Sequence, residues 1–315
     1  MPLDLRECRL IKTYLVATIL ATALWWAGLF LTDWVAPMSL GGAYAPSEVG
    51  LLLIGDGFSA LLIPVGILVA LRRQPDLLPA LFWIHFGGQG YAFCVSISGA
   101  VIDPGASPGM FCMFFSAGAA LICAVRVARL PLLWGPFRFK DAQTETVPQL
   151  TRRTVVQSCL MWLVFFLLIP LALSSVENLF GWRVFSATME TKIAAGALFT
   201  VAGAIGIWGG IEMARRGEGT PLPSVGTRKL VVTGPYRSIR NPMAVLAVIQ
   251  GICVGVMFDS TLFILYCLLG AFAWDLLVRP LEEAHLTQKF GQEYRDYQQN
   301  VRCWLPRPAD ANQND

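Results

Sequence analysis

The sequence predicts an all-α membrane protein: a polytopic transmembrane helical bundle of about eight spans with a C-terminal amphipathic helix. Three observations carry that prediction. The 315 residues are 55% hydrophobic and 14% charged, whereas a soluble chain keeps roughly a quarter of its residues charged. The apolar residues gather into runs near the roughly 20 residues that a helix needs to cross a bilayer: Leu10–Leu31, Leu51–Leu71, Leu77–Val101, Met110–Val125, Val155–Val176, Ile193–Ala214, Met243–Phe258 and Leu262–Val278. The basic residues alternate with these runs. If the N-terminus is inside, 22 of the 24 Lys and Arg residues fall on that side, leaving only Arg183 and Lys192 outside. Short cytoplasmic loops retain basic residues in this way, so both termini are expected to be cytoplasmic.

The net charge of +3 therefore reports topology. Nucleic-acid binding is a poor reading, since no basic face is interleaved with base-stacking aromatics. The eight cysteines form no CxxC pair and mostly fall within the runs, so they read as small apolar packing residues, with no metal site or disulfide implied. Ala43-Tyr-Ala45 has the small residues of a cleavage site. Pro46 follows it directly, however, and the preceding run is long enough to span, so the first helix is expected to stay.

Residues 1–125 make an N-terminal region of four spans. Its turns carry the helix-ending chemistry of Arg72-Arg-Gln-Pro-Asp76 and Asp103-Pro-Gly-Ala-Ser-Pro108. Asp56, His85 and Gln89 sit at membrane depth, and each has two readings. Polar groups at that depth hold helices together through hydrogen bonds, and an ionisable one is also a functional candidate because its burial in lipid is costly. Residues 126–154 form a basic, proline-containing cytoplasmic linker with alternating aromatics, suited to an anionic lipid surface.

Residues 155–308 form the second membrane region. Its second run carries Gly196, Gly203 and Gly210 at heptad spacing and a Gly206/Gly210 pair, a stripe that favours close helix packing. The next stretch, Gly217-Glu-Gly-Thr-Pro-Leu-Pro223, is expected to be a loop. The last two runs form a hairpin around Asp259-Ser260, with Gln250 mid-span and Asp275 four residues before Arg279. After Pro280 an amphipathic stripe places Leu286, Phe290, Tyr294, Tyr297 and Val301 on one face. Residues 309–315 make a polar tail expected to be disordered.

The densest chemistry is split across that hairpin. Before it, Gly234-Pro235 forces a turn, Tyr236 supplies an aromatic face with a hydroxyl, Arg237 and Arg240 are cations, and Pro242 holds Asn241 extended. After it, Glu282 and Glu283 supply carboxylates. A hairpin returns its two ends to one side of the bilayer, so this set suits a small ligand bearing ammonium, carboxylate and an aromatic base. Either motif alone could simply mark the membrane boundary.

At these residues the sequence resembles the isoprenylcysteine carboxyl methyltransferase and phospholipid methyltransferase superfamily. These are integral membrane enzymes that use S-adenosylmethionine without a Rossmann domain. The matching segments are Leu-Val-Val-Thr-Gly-Pro-Tyr-Arg (230–237), Arg-Asn-Pro-Met (240–243), Glu-Glu (282–283) and Phe-Gly-Gln-Glu-Tyr-Arg-Asp-Tyr (290–297), within about the last third of the chain. The resemblance implies S-adenosylmethionine as cofactor and a site lined by Tyr236, Arg237, Arg240, Asn241, Glu282 and Glu283, closed by the terminal helix. The sequence departs from the pattern at Ala244, where the family usually has a tyrosine. The first four spans show no resemblance.

On this reading Arg240 and Glu283 are the catalytic candidates. Arg240 holds an acceptor or cofactor carboxylate by a forked contact, Glu283 lies near the sulfonium or ammonium end, and Glu282 orients Arg240 or a loop donor. The acceptor is lipophilic and reached from membrane lipid: an isoprenylcysteine-like carboxylate, a lipid amine or a thiol. A carboxylate needs no general base; an amine or neutral thiol does, with Glu283 or His285 nearest. Two other classes compete. An NADPH-dependent membrane sterol or lipid reductase shares this kind of helical core but needs more cations for its phosphates. A transporter or membrane scaffold is disfavoured because the charged motifs cluster at one rim and the two halves do not match.

Overall fold

The computed structural model describes residues 5–32, 35, 38, 57–73, 77–128, 146–220 and 227–306. They form an all-α protein with no strand among the described residues. In chain order the helices are α1 (Leu5–Leu31), α2 (Ile63–Arg73), α3 (Leu78–Ile102), α4 (Ser107–Ala128), α5 (Val147–Leu163), α6 (Ile169–Phe180), α7 (Met189–Arg216), α8 (Pro242–Met257), α9 (Thr261–Ala273) and α10 (Arg279–Asn300). Asp56, most of the linker (129–145), residues 221–226 of the loop after α7 and the tail lie outside the described residues.

Five stretches are long and apolar enough to cross a membrane: Arg9–Leu31, Pro104–Ala128, Val147–Phe180, Met189–Arg216 and Thr261–Asn300. Phe58–Leu71 and Pro242–Met257 are apolar but shorter. The expected third span is the 25-residue α3, whose apolar character is diluted midway by His85, Gln89 and three glycines.

Three wide π-helical turns, Gly57–Leu62, Val164–Leu168 and Trp274–Val278, run into α2, α6 and α10 respectively. Each is followed at the second residue by a proline, Pro64, Pro170 or Pro280. Proline lacks an N–H and its ring collides with the carbonyl four residues back. A π turn widens the backbone where that carbonyl lies, so the helix passes the proline instead of ending. One helical stretch therefore runs 40 residues from Thr261 to Asn300. Its real break falls at Gly291 (φ 56°, ψ −123°), a conformation that glycine adopts freely.

The chain divides into two compact units. The first comprises Met1–Pro131, Ser175–Phe185 and Leu268–Val278. Ile11, Leu15, Ile67, Phe82, Cys123 and Leu276 are fully buried in its core. Within that core runs a polar chain. His85 Nδ1 lies 3.0 Å from the Ser59 carbonyl oxygen and Nε2 lies 3.0 Å from the Tyr14 hydroxyl. The Tyr14 hydroxyl is 3.1 Å from the Ser116 carbonyl, and the Ser116 hydroxyl donates to Gln89 Oε1 at 2.6 Å. His85 and Gln89 thus join α1, α3, α4 and the π turn before α2.

The second unit comprises Leu132–Ser174, Ser186–Cys267 and Arg279–Asp315. Here α7 packs along α8 and against α5. A side chain at Gly203 would come within 3.1 Å of Trp162, and one at Gly255 within 2.4 Å of Ile264. The hairpin turn is fixed by Asp259, whose carboxylate accepts from the Ala187 N–H (2.8 Å) and Lys192 Nζ (2.5 Å). All of the site residues belong to this unit.

Candidate active site

The turn before α8 is set by Gly234 (φ 59°), which opens a single 3₁₀ turn, Gly234–Arg237. A β-carbon at Gly234 would lie 3.3 Å from Glu212 Cγ. Next to it Thr233 donates its hydroxyl proton to Glu212 Oε1 on α7 (2.6 Å), and Arg216 Nε pairs with the same oxygen at 2.8 Å. The Tyr236 ring is buried against Gly209, where an added β-carbon would already reach within 3.9 Å of the ring. The glycines of α7 therefore make room for a ring as well as for a helix.

From there the chain turns into α8. Asn241 caps that helix through its side-chain oxygen, which accepts from the Ala244 N–H at 3.1 Å, and Pro242 occupies the first turn where no N–H is needed. The cap leaves the Asn241 amide nitrogen pointing outward, and it donates to Glu282 Oε2 at 3.4 Å.

Arg240 and Glu283 are joined directly. Arg240 Nη2 donates to Glu283 Oε1 at 2.8 Å, and Nη1 donates to the Gln298 carbonyl at 3.1 Å. The same Glu283 oxygen accepts from Arg279 Nη1 at 3.5 Å, and its other oxygen accepts from Gln298 Nε2 at 3.3 Å. Past the kink at Gly291, the end of α10 folds back on the turn: the Tyr297 hydroxyl donates to the Tyr236 carbonyl at 2.5 Å, and the Arg240 N–H to the Arg302 carbonyl at 2.9 Å.

The two adjacent carboxylates thus differ sharply. Glu283 is held by two guanidiniums and an amide. Glu282 has the Asn241 amide alone among the hydrogen bonds described. Desolvation and then the neighbouring Glu283 charge push its pKa up to about 7. Burial likewise raises the phenols of Tyr236, Tyr294 and Tyr297. Two polar atoms in the cluster are buried without a partner, the Tyr236 hydroxyl and Arg240 Nε, and a buried polar atom left unpaired is costly unless a ligand or water meets it.

The structure thus brings together Tyr236, Arg240, Asn241, Glu282 and Glu283. Arg237 stands apart, exposed at the end of the 3₁₀ turn. It is Glu283, not Glu282, that takes the Arg240 guanidinium. Ala244 supplies only its backbone N–H to the Asn241 cap. Sequence reading missed Gln298 and Glu212, and it placed Arg279 toward Asp275 without its reach to Glu283. Gln298 follows the aromatic pair of α10 as one more polar residue, and nothing in its type or spacing marks it. Glu212 carried a faint signal, as the one acidic side chain in an otherwise apolar last turn before Arg215-Arg216.

Comparison with known families bears on this cluster. Residues 191–293 match the phospholipid methyltransferase family model. That family belongs to the isoprenylcysteine carboxyl methyltransferase-like membrane superfamily, in agreement with the resemblance carried by Leu230–Arg237 and Glu282-Glu283. No curated protein and no solved structure gave a match. The phospholipid methyltransferase segment covers about a third of the chain and takes in α7, the turn, α8, α9 and α10 as far as Glu293. Tyr297, Gln298 and Arg302, which close over the turn, follow it.

The donor set suits the ligand that methyltransferases of this superfamily use. S-adenosylmethionine carries an ammonium, a sulfonium, a carboxylate and an adenine. Against these stand a carboxylate with spare acceptor capacity (Glu282), an unpaired phenol hydroxyl on a buried ring (Tyr236) and an unpaired guanidinium N–H (Arg240). A cleft of about 500 Å³ along Arg9, Lys12, Thr13 and Val16 of α1 shares no residue with this set.

Proposed function

We propose that the chain is an integral membrane methyltransferase that moves a methyl group from S-adenosylmethionine to an amine-bearing membrane lipid. Tyr236, Arg240, Asn241, Glu282 and Glu283 line the donor site, with Arg237 outside it, and both chain termini face the cytoplasm. The observation that carries this reading is the closure of the Gly234–Asn241 turn onto Glu282-Glu283 within the segment matched by the methyltransferase family.

The acceptor follows from charge. A carboxylate acceptor needs a free cation, and Arg240 has given both terminal nitrogens to Gln298 and Glu283. Arg279 also reaches Glu283. What remains is a carboxylate, Glu282, which attracts an ammonium and repels an anion. The same charge balance disfavours a nicotinamide dinucleotide, whose phosphates need several uncommitted cations.

The donor supplies an electrophilic methyl on positive sulfur. The residues of the chain supply the rest: Glu282 holds a cation at the turn, the Tyr236 ring and Tyr297 wall the site from water, and the Arg240–Glu283 pair fixes α10 over it. Holding two reactants in line contributes most of the acceleration in such a transfer.

The test uses full-length protein in nanodiscs. Calorimetry with S-adenosylmethionine and with NADPH separates the two cofactors, and mass spectrometry of vesicle lipids after incubation with labelled donor finds the acceptor. Binding of the first cofactor and label on aminophospholipid are expected. Binding of NADPH alone, or label confined to an isoprenylcysteine, would overturn the reading.

A further inference from the structure

We propose that Glu282, and not Glu283, is the base that takes the proton from the amine acceptor. The proposal rests on the reading that this site methylates an amine lipid. It begins from a chemical requirement: a lipid amine is an ammonium ion at neutral pH and has no lone pair with which to attack. Something in the site must remove a proton before the carbon–nitrogen bond can form.

Glu283 is the carboxylate nearest to Arg240 and for that reason the wrong one. Its Oε1 accepts from two guanidiniums and its Oε2 from the Gln298 amide. Both of its oxygens are thus already engaged, leaving none to meet the lipid ammonium. Glu282, one residue earlier, turns to Asn241 instead. Its one described hydrogen bond, to Asn241, is long at 3.4 Å, and Oε1 is left to meet a ligand.

Facing Glu282 are Glu283 beside it, the Tyr236 phenol on the turn and Tyr294 beyond the kink, while the nearby Arg240 is paired to Glu283. Desolvation and then the Glu283 charge favour protonation, and they raise the Glu282 carboxyl to about pH 7, where a general base works best. The buried Tyr236 hydroxyl, which has no partner of its own, lies in the same field.

The step balances as follows. The Glu282 carboxylate accepts one proton from the lipid ammonium and becomes a neutral acid, and the ammonium becomes a free amine. The amine lone pair then attacks the donor methyl; the carbon–nitrogen bond forms as the carbon–sulfur bond breaks, and the bonding pair leaves with sulfur as a neutral thioether. The product is a methylated ammonium, and Glu282 returns its proton to water between turnovers.

The experiment compares wild type, Glu282→Gln and Glu282→Asp as full-length protein in aminophospholipid nanodiscs. Three readouts are taken: methyl transfer against pH, calorimetric affinity for S-adenosylmethionine, and the protonated-carboxyl band in the infrared without donor. Glu282→Gln is expected to lose about 100-fold or more in kcat/KM at pH 7, the usual contribution of a general base. The deficit should shrink about tenfold per pH unit as solvent supplies free amine, and at pH 7 it should exceed whatever donor affinity is lost with the carboxylate. Glu282→Asp should recover part of the rate. The carboxyl band that fades in wild type between pH 6 and 8, about the raised pKa, should be missing in Glu282→Gln.

Wild-type turnover in Glu282→Gln would overturn the proposal alone. So would a pH-independent loss matched by an equal loss of donor affinity, which would make Glu282 only a cofactor ligand. Donor binding without label on any amine lipid in wild type would overturn the acceptor reading and this assignment together.

Discussion

Arg240 Nη2 stands 2.8 Å from Glu283 Oε1, although the two residues are 43 positions apart in the chain and a complete helical hairpin lies between them. That contact fixes where α10 rests on the turn. The pair is mostly buried, with 9% of the Arg240 and 20% of the Glu283 side chain exposed. Breaking a buried ion pair by removing one partner leaves the other charge desolvated, which costs about 3–5 kcal/mol.

Arg240→Ala is therefore expected to destabilise the C-terminal unit by about 2–4 kcal/mol, since some solvent reaches Glu283. Arg240→Ala with Glu283→Gln should cost less than the sum of the single changes. Thermal unfolding in detergent across the double-mutant cycle measures this. An additive cycle would mean that the contact contributes nothing.

Glu282 makes the fold sensitive to pH. Its carboxyl is raised from 4.5 to about 7 in the folded protein, so the folded state favours the protonated form. The associated stability is complete below about pH 4.5 and is lost as pH rises through 7, by at most about 3 kcal/mol. Without ligand, melting temperature should fall between pH 5 and 7.5 in wild type and fall less in Glu282→Gln. Identical slopes in the two proteins would contradict the shift. A bound cation should reverse the effect, with donor binding releasing a proton near neutral pH; titrations in buffers of different ionisation enthalpy read this directly.

Gly234→Ala places a β-carbon at φ 59°, a conformation that costs an ordinary residue about 1–2 kcal/mol. It also presses on Glu212, which holds Thr233 in place. A loss of about 1–2 kcal/mol in stability is expected, together with weaker donor binding, because Tyr236 is carried on the same turn. Weaker binding at unchanged stability, or the reverse, would separate the two roles.

The buried chain Tyr14–His85–Ser59 should behave as structural glue. Tyr14→Phe removes one hydroxyl and should cost about 1 kcal/mol, whereas His85→Leu strands the Ser59 carbonyl, leaves the Tyr14 hydroxyl only the Ser116 carbonyl, and should cost about 1–3 kcal/mol. Melting of both variants in detergent checks the order. If His85→Leu melted like wild type, the hydrogen bonds in this core would not stabilise it.

Residue types and their spacing were enough to anticipate an all-α chain, because bilayer thickness and backbone hydrogen bonding leave an apolar run of 16 to 25 residues little alternative. The hairpin geometry also followed from sequence. Two runs joined at Asp259-Ser260 must return their ends to one side, so Arg240 and Glu283 were bound to approach. The matching segments at 230–237, 240–243, 282–283 and 290–297 likewise carried the methyltransferase resemblance, which the family match over residues 191–293 bears out.

Tertiary structure alone decided which carboxylate does what. Glu282 and Glu283 are adjacent and chemically identical, and only the rotation of α10 about its axis sends one to Arg240 and the other to Asn241. The backbone reversal at Gly291 then brings Gln298, Tyr297 and the Arg302 carbonyl onto the turn. A glycine in sequence permits such a reversal without announcing it. A periodicity records which face of a helix is apolar, but the direction of a single side chain depends on the packing of every element beneath it.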